Sequence, residues 1–356
     1  MIVLFALFSI FAWTGLGKFL FWTHLGGVIL GLSLLAVVIK KKQLKPPTNW
    51  LWYLVFLVIL EVGVFIGGNQ QESFSYWLLF VAGGLFWVVA SSYPKLIKEY
   101  LDKLLIAFGV VFSGLFVFFN LIREPTINAW SVYLPTSHFL NHNNIGDLWS
   151  VIMVGVIYKL FKSKNIYWWG LLAVGGWMLI VSQSRSAYLG LMVGVIFLVS
   201  RLKVEAKYKK LGLAIIGLGL VLFILTGRVK TTLGSRVYYV QAMVSLWKHP
   251  LGIGLANFGK ISADSQYHLN YFSDFSEVVF SWPLEMMVSM GWFGLIFVYW
   301  FIEQIRRVLK ENRERNIVYQ VMFLTLTVNL IFNLSYFVPS LLWLWFVLLG
   351  VLDEDS

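Results

Sequence analysis

Apolar windows of roughly 15 to 20 residues recur along the whole chain, and that recurrence leaves few folds open to it. About 20 apolar residues in a helix cross roughly 30 Å of hydrocarbon with every backbone N–H and C=O paired inside the segment. The windows fall near 1–16, 21–39, 50–67, 74–92, 103–120, 146–161, 166–182, 186–200, 211–227, 283–301, 318–335 and 337–352. Apolar residues make up 59% of the chain and charged residues 13%, with a mean hydropathy of +0.77. That balance lies outside the soluble range. The expected fold is therefore an all-α, polytopic membrane bundle of about 12 spans, with residues 1–356 forming a single integral membrane domain. The first window lacks a small-residue cleavage motif and is followed by further spans, so it reads as retained. The absence of cysteine leaves no disulfide and no thiolate nucleophile or metal ligand.

Charge placement predicts the orientation. Lys40–Lys42 with Lys45, Lys95/Lys98/Lys103, Lys159/Lys162/Lys164, Arg201–Lys210 and Arg306–Arg315 hold 20 of the 28 Lys and Arg residues. They fall on alternate connections, which the positive-inside rule assigns to the cytoplasm, with both termini inside. The formal net charge of +11 is thus mostly a topology signal rather than a nucleic-acid surface.

Two external connections are long, at 121–145 and 228–282, and long ordered loops usually carry function. Residues 236–248 in the second read as an amphipathic helix. Val240, Met243, Val244 and Trp247 form its apolar stripe, and Arg236, Gln241 and Lys248 are polar. Thr231, Thr232 and Ser235 can cap or line its entry, and Pro250 and Gly252 end it.

Charged groups close to hydrocarbon are the functional candidates, because their placement is costly. Arg185 lies between apolar stretches, among Ser182, Ser184 and Ser186. It reads either as an interfacial arginine reaching lipid phosphate or as the anion contact of a phosphate-bearing substrate, which its planar donor fork suits. Gly190 and Gly194 permit close helix approach at a four-residue interval. Arg236 invites the same two readings, and Arg228 and Lys230 lie nearer a span end. In the first loop Asn141, His142, Asn143, Asn144 and Asp147 are able to meet sugar hydroxyls, with helix-end capping as the plainer role for Asn144 and Asp147. Gly146 permits close backbone approach there. His268, Asp274, Glu277 and Glu285 are surface groups or proton acceptors. Glu61, within the third window, reads as a polar contact inside the bundle. Trp130, Trp149, Trp168, Trp169, Trp282 and Trp292 suit interfacial belts. No spacing of ligands points to a metal site.

Several segments resemble the bacterial O-antigen ligase and polysaccharide polymerase superfamily. They are Asn144-Ile-Gly146, SRSAYLG at 184–190, GSRVYYVQAMVSLWKHPLGIGLANF at 234–258 and SWPLEMMVSMGWFG at 281–294. The resemblance covers about 140–294 closely. It implies transfer of glycan from an undecaprenyl-diphosphate carrier at the outer face of the bacterial cytoplasmic membrane, without a cofactor. The acceptor is either another carrier-linked glycan, for a polymerase, or a lipid-A core sugar, for a ligase. A transporter of the same superfamily is the remaining alternative. The resemblance implies Arg185 and Arg236 as diphosphate contacts; it carries no base onto His268, so His268 and Glu277 stand as candidate proton acceptors on their own chemistry. Asn141, His142, Asn144, Ser184, Ser281 and Glu285 would contact substrate, and the expected partners are a glycan acceptor, membrane lipid, a flippase and a chain-length regulator. Many ligases carry a histidine where this chain has Phe280 before Ser281, a departure that favours the polymerase.

Overall fold

A computed structural model describes residues 20–117, 142–163, 165–202, 206–225, 229–264, 278–311 and 314–353. The described residues are helical, without strands. The helices are α1 (Leu20–Lys40), α2 (Trp50–Ile66), α3 (Gln70–Ser92), α4 (Pro94–Val117), α5 (His142–Lys162), α6 (Ile166–Ser182) and α7 (Arg185–Arg201), followed by α8 (Ala206–Leu225), α9 (Val229–Lys248), α10 (Phe258–Ala263), α11 (Trp282–Met290), α12 (Gly294–Lys310), α13 (Ile317–Phe332) and α14 (Pro339–Val351).

Every expected window from 21–39 onward except 283–301 falls largely on one helix, whereas 1–16 lies outside the described residues. Five helical stretches are long and apolar enough to cross a membrane: 21–40, 70–92, 143–162, 282–310 and 314–332. Trp50–Ile66, Ile166–Ser182, Gly212–Val221 and Pro339–Val351 are shorter apolar helices.

Local chemistry sets several boundaries. Asn69 caps α3 by accepting the Glu72 N–H and donates to the Glu72 carboxylate at 2.6 Å, a reciprocal arrangement. Asn165 caps α6 from the Tyr167 N–H at 3.0 Å. Gln183, at φ 49°, ends α6 and turns the chain into α7.

The window at 283–301 departs from its expected form. Gly291, at φ 62°, breaks it into α11 and α12, joined by a 3-10 turn at Gly291–Phe293. An added Cβ at Gly291 would meet the Pro250 carbonyl oxygen at 2.1 Å, so the break is where another strand of backbone presses in.

The interior is aromatic at its centre. Trp282 lies 5.2 Å from Trp345 between ring centroids, Tyr53 4.9 Å from Trp300, and Phe323 4.9 Å from Trp345. Trp149 and Trp282 are fully buried, so neither belongs to a belt, while Trp169 and Trp292 are exposed. Burial also gives Trp149 a partner: its indole donates to the Ser113 hydroxyl at 2.6 Å.

Charged contacts gather at one end of the bundle. Asp353 accepts from the Trp87 indole at 2.7 Å and pairs with Arg307, and Lys45 reaches its carbonyl at 3.1 Å. Lys98 donates to Asn316 at 2.8 Å, and Lys162 pairs with Glu314 at 2.5 Å. The starts of α5, α7, α11 and α14 lie at the other end, where the candidate site is built.

Candidate functional site

Asp147 is the centre of a buried polar network. It projects from the second turn of α5 and is fully enclosed. One carboxylate oxygen accepts from Ser186 at 2.9 Å, on the first turn of α7, and from Ser184 at 3.4 Å, just before it. The other accepts from Asn333 at 2.7 Å and from Ser335, in the 3-10 turn Leu334–Phe337. Asn329 of α13 donates to the Asp147 carbonyl at 3.3 Å and to Ser150 at 2.9 Å. A carboxylate here is held by four side-chain donors and by the partial positive charge of the α7 N-terminus.

This network shapes the setting of Arg185, which is the first residue of α7 and half-buried. Ser184 caps the helix by accepting the Ala187 N–H at 3.4 Å, so its hydroxyl serves the helix and Asp147 together. Close packing makes this possible. An added Cβ at Gly146 would meet the Ser182 and Ser184 side chains at 2.6 and 2.7 Å. At Gly190 it would meet Asn329 Oδ1 at 2.3 Å, and at Gly194 Thr325 Oγ1 at 2.3 Å. The expected close approach at Gly190 and Gly194 is thus between α7 and α13.

Asn144 and Asp147 lie inside α5 rather than at a cap, because the helix starts at His142. Asn144 is buried, and its Oδ1 has no hydrogen-bond partner among the described residues. The side chain of His142 and the whole of Asn141 lie outside the described residues.

A second buried carboxylate, Glu285, adjoins this frame through one turn of chain. It is fully enclosed in α11 and accepts from the Val279 N–H at 3.1 Å and from the Tyr336 hydroxyl at 3.3 Å. Ser335 serves Asp147 and its neighbour Tyr336 serves Glu285, so the turn at Leu334–Phe337 couples α5 and α7 to α11. Ser281 is buried immediately before α11. Phe280 holds φ 58°, stacks on Tyr238 at 6.1 Å between centroids, and offers its carbonyl to the Tyr239 hydroxyl at 3.0 Å.

Arg236 lies in the backbone of α9, two turns inside it rather than at its start, since the helix begins at Val229. Thr231, Thr232 and Ser235 are consequently interior positions of the helix and not its cap. Tyr238 and Tyr239 bring that helix against the start of α11. The side chains of Arg236 and Lys230, and all of Arg228, His268, Asp274 and Glu277, lie outside the described residues.

The PLGIG stretch at 250–254 fastens α9 to the bundle. Gly252 and Gly254 hold φ 88° and 82°. The N–H groups of Ile253 and Gly254 donate to the Val288 and Ser289 carbonyls at 3.1 and 3.0 Å. A Cβ on Gly254 would strike the Gly63 carbonyl of α2 at 2.6 Å, so two helices and this loop meet at backbone distance.

Glu61 is exposed on α2, not inside the bundle, because α2 turns Leu60, Gly63 and Val64 inward instead. Among the described residues no three His, Asp or Glu side chains are grouped to hold a metal. Ser150, Asn329, Asn333, Ser335 and Tyr336 were not legible as site residues. Their signal is the interval Thr325, Asn329, Asn333, a polar row every four residues along an apolar helix.

Fold and site define a multi-pass helical membrane protein with a buried polar frame at one end. Residues 170–299 match the family model described as O-Antigen ligase, a match that supports the resemblance to the O-antigen ligase and polymerase superfamily. Arg185, Arg236, Ser281 and Glu285 fall within the matched segment, and Asp147 falls outside it. No curated protein and no solved structure matches the chain.

Proposed function

We propose that the protein is a repeat-unit polymerase. It transfers glycan from an undecaprenyl-diphosphate carrier to the end of another carrier-linked glycan at the external face of the bacterial cytoplasmic membrane. An acceptor hydroxyl oxygen attacks the anomeric carbon, the bond from that carbon to the diphosphate oxygen breaks, and the hydroxyl proton passes to a base. The lipid diphosphate departs with the bonding electrons. A diphosphate is already a good leaving group, so the route needs no metal.

The observation that supports this reading is the seat of Arg185. A permanent cation stands as the first residue of α7, where helix N–H groups also favour an anion, on a frame fixed by Asp147, Ser184 and Ser186. Arg185 and Arg236 stabilise charge that grows on the leaving diphosphate, which lowers the barrier more than it strengthens ground-state binding. His268 and Glu277 are the proposed proton acceptors. Asn141, His142, Asn144 and Ser281 hold sugar hydroxyls, and Glu285 positions the chain at Val279 and Phe280 for them. A ligase remains the second reading. The packing of Phe280 on Tyr238 favours the polymerase, because a ring committed to that stack replaces the histidine that many ligases carry.

The test uses wild-type protein and Arg185→Ala, Arg236→Ala, Arg185→Lys and Arg236→Lys variants in liposomes with undecaprenyl-diphosphate repeat units. Chain lengthening and released lipid diphosphate are measured at matched protein levels. Lengthening without a lipid-A acceptor, reduced in both alanine variants and less so with lysine, is the expected result. Normal lengthening by correctly inserted alanine variants overturns the mechanism.

A further inference from the structure

Helix α9 carries apolar residues on both its buried and its outward face. Tyr238, Gln241, Ala242, Ser245 and Leu246 are turned into the protein, where α9 packs against α10 and α11. Val240, Met243, Val244 and Trp247 are turned outward at the interval i, i+3, i+4, i+7, with Trp247 72% exposed. A helix that meets water on its outer face puts its amides and hydroxyls there. Here Gln241 and Ser245 are inside with Tyr238, Ala242 and Leu246, and a second apolar stripe is outside.

The stripe continues onto the bundle. Trp247 meets Trp292 edge-on, with centroids 5.5 Å apart and planes at 81°. Trp292 and Phe293 lead directly into α12, whose Leu295, Tyr299 and Ile302 are exposed as the outward residues of a membrane helix. The Trp292 N–H donates to the Pro250 carbonyl at 3.0 Å, which fixes the end of α9 to the start of α12. Leu251, just past α9, is exposed beside them. An indole pair at the break between α11 and α12 has the chemistry of an aromatic belt, and Lys248 ends the stripe with an exposed cation suited to lipid phosphate.

We infer that α9 is an interfacial helix whose partner is the lipid surface: Val240, Met243, Val244 and Trp247 insert at the acyl boundary, and the Trp247–Trp292 pair marks the bilayer edge. The helix that carries Arg236 is then held at the headgroup level by lipid as well as by protein. This inference does not depend on the reaction proposed above.

The chain has no cysteine, so single nitroxide labels can be placed cleanly at Val240→Cys, Met243→Cys, Val244→Cys and Trp247→Cys in the full-length protein in liposomes. Collision rates with oxygen, which partitions into lipid, and with a water-soluble nickel chelate report each label's surroundings. Tyr299→Cys on α12 gives the lipid reference, and a nitroxide free in buffer gives the aqueous one. The expected oxygen-to-nickel ratio at the four positions is several-fold above the aqueous reference and approaches that of Tyr299→Cys. Ratios equal to the aqueous reference overturn the inference. So does shielding from both reagents with spin–spin broadening, which marks a second copy on this face. Each position is read separately, so one poorly folded variant leaves the test intact.

Discussion

At Arg185 a fixed charge is held by short-range geometry. Its helix is capped by Ser184, and the cap is itself bonded to Asp147. If the guanidinium bonds chiefly to charge developing on the leaving group, Arg185→Ala costs about 2 to 4 kcal/mol of transition-state stabilisation, or roughly 30- to 1,000-fold in rate. Arg185→Lys keeps the charge but loses the planar fork, so its turnover in the liposome assay falls between alanine and wild type. Asp147 acts differently. Asp147→Ala leaves donors of Ser186, Asn333 and Ser335 buried without their acceptor, at a cost of about 2 to 5 kcal/mol in stability. Thermal unfolding of the purified protein in detergent reads this loss, and a variant that melts with wild type would remove the network from the account of the site. The arginine was visible in the sequence because charge beside hydrocarbon is rare. Asn333 and Ser335, the far partners of Asp147, were not, because nothing in the sequence connects them to that carboxylate.

Among elements, the pair α7 and α13 depends most on small side chains. Between helices in lipid the hydrophobic effect offers little, and close packing and hydrogen bonds hold them together. Gly190→Ala puts a methyl group into Asn329 Oδ1 and the Thr325 carbonyl, and its expected cost is about 1 to 3 kcal/mol with disturbance of the Asn329 bond to Ser150. Gly176→Ala on α6 is the matched control. Nothing lies within 4 Å of its added Cβ, so it should be neutral or stabilising by up to about 1 kcal/mol through helix propensity. Melting midpoints of the two variants in one detergent decide the matter, and equal midpoints would contradict the packing argument. The four-residue interval announced a close approach. It could not name α13 as the partner. The stripe on α9 was legible in the same partial way: periodicity found Val240, Met243, Val244 and Trp247, and packing decided that they face outward.

Across the whole molecule, the basic connections are gathered at one end and the Asp147 frame lies at the other, which agrees with alternating helices. Tags inserted at 42, 162 and 308 are expected to be cytoplasmic, and tags at 135 and 265 external. Protease or membrane-impermeant labelling of intact cells checks the assignment, and a cytoplasmic tag at 135 or 265 would remove the external site. The sequence by itself determined the helical membrane class, the positions of most of the apolar helices after the first window, and the presence of charged groups that need a reason to be there. Those properties follow from the cost of exposing backbone and charge to hydrocarbon, which acts on each segment separately. Tertiary structure decided the rest: the break at Gly291, the exposure of Glu61, and the meeting of Asp147, Ser186, Asn333 and Ser335 from distant parts of the chain. Hydrogen bonds and close contacts act over about 3 Å, and only the packed bundle brings those residues within that range.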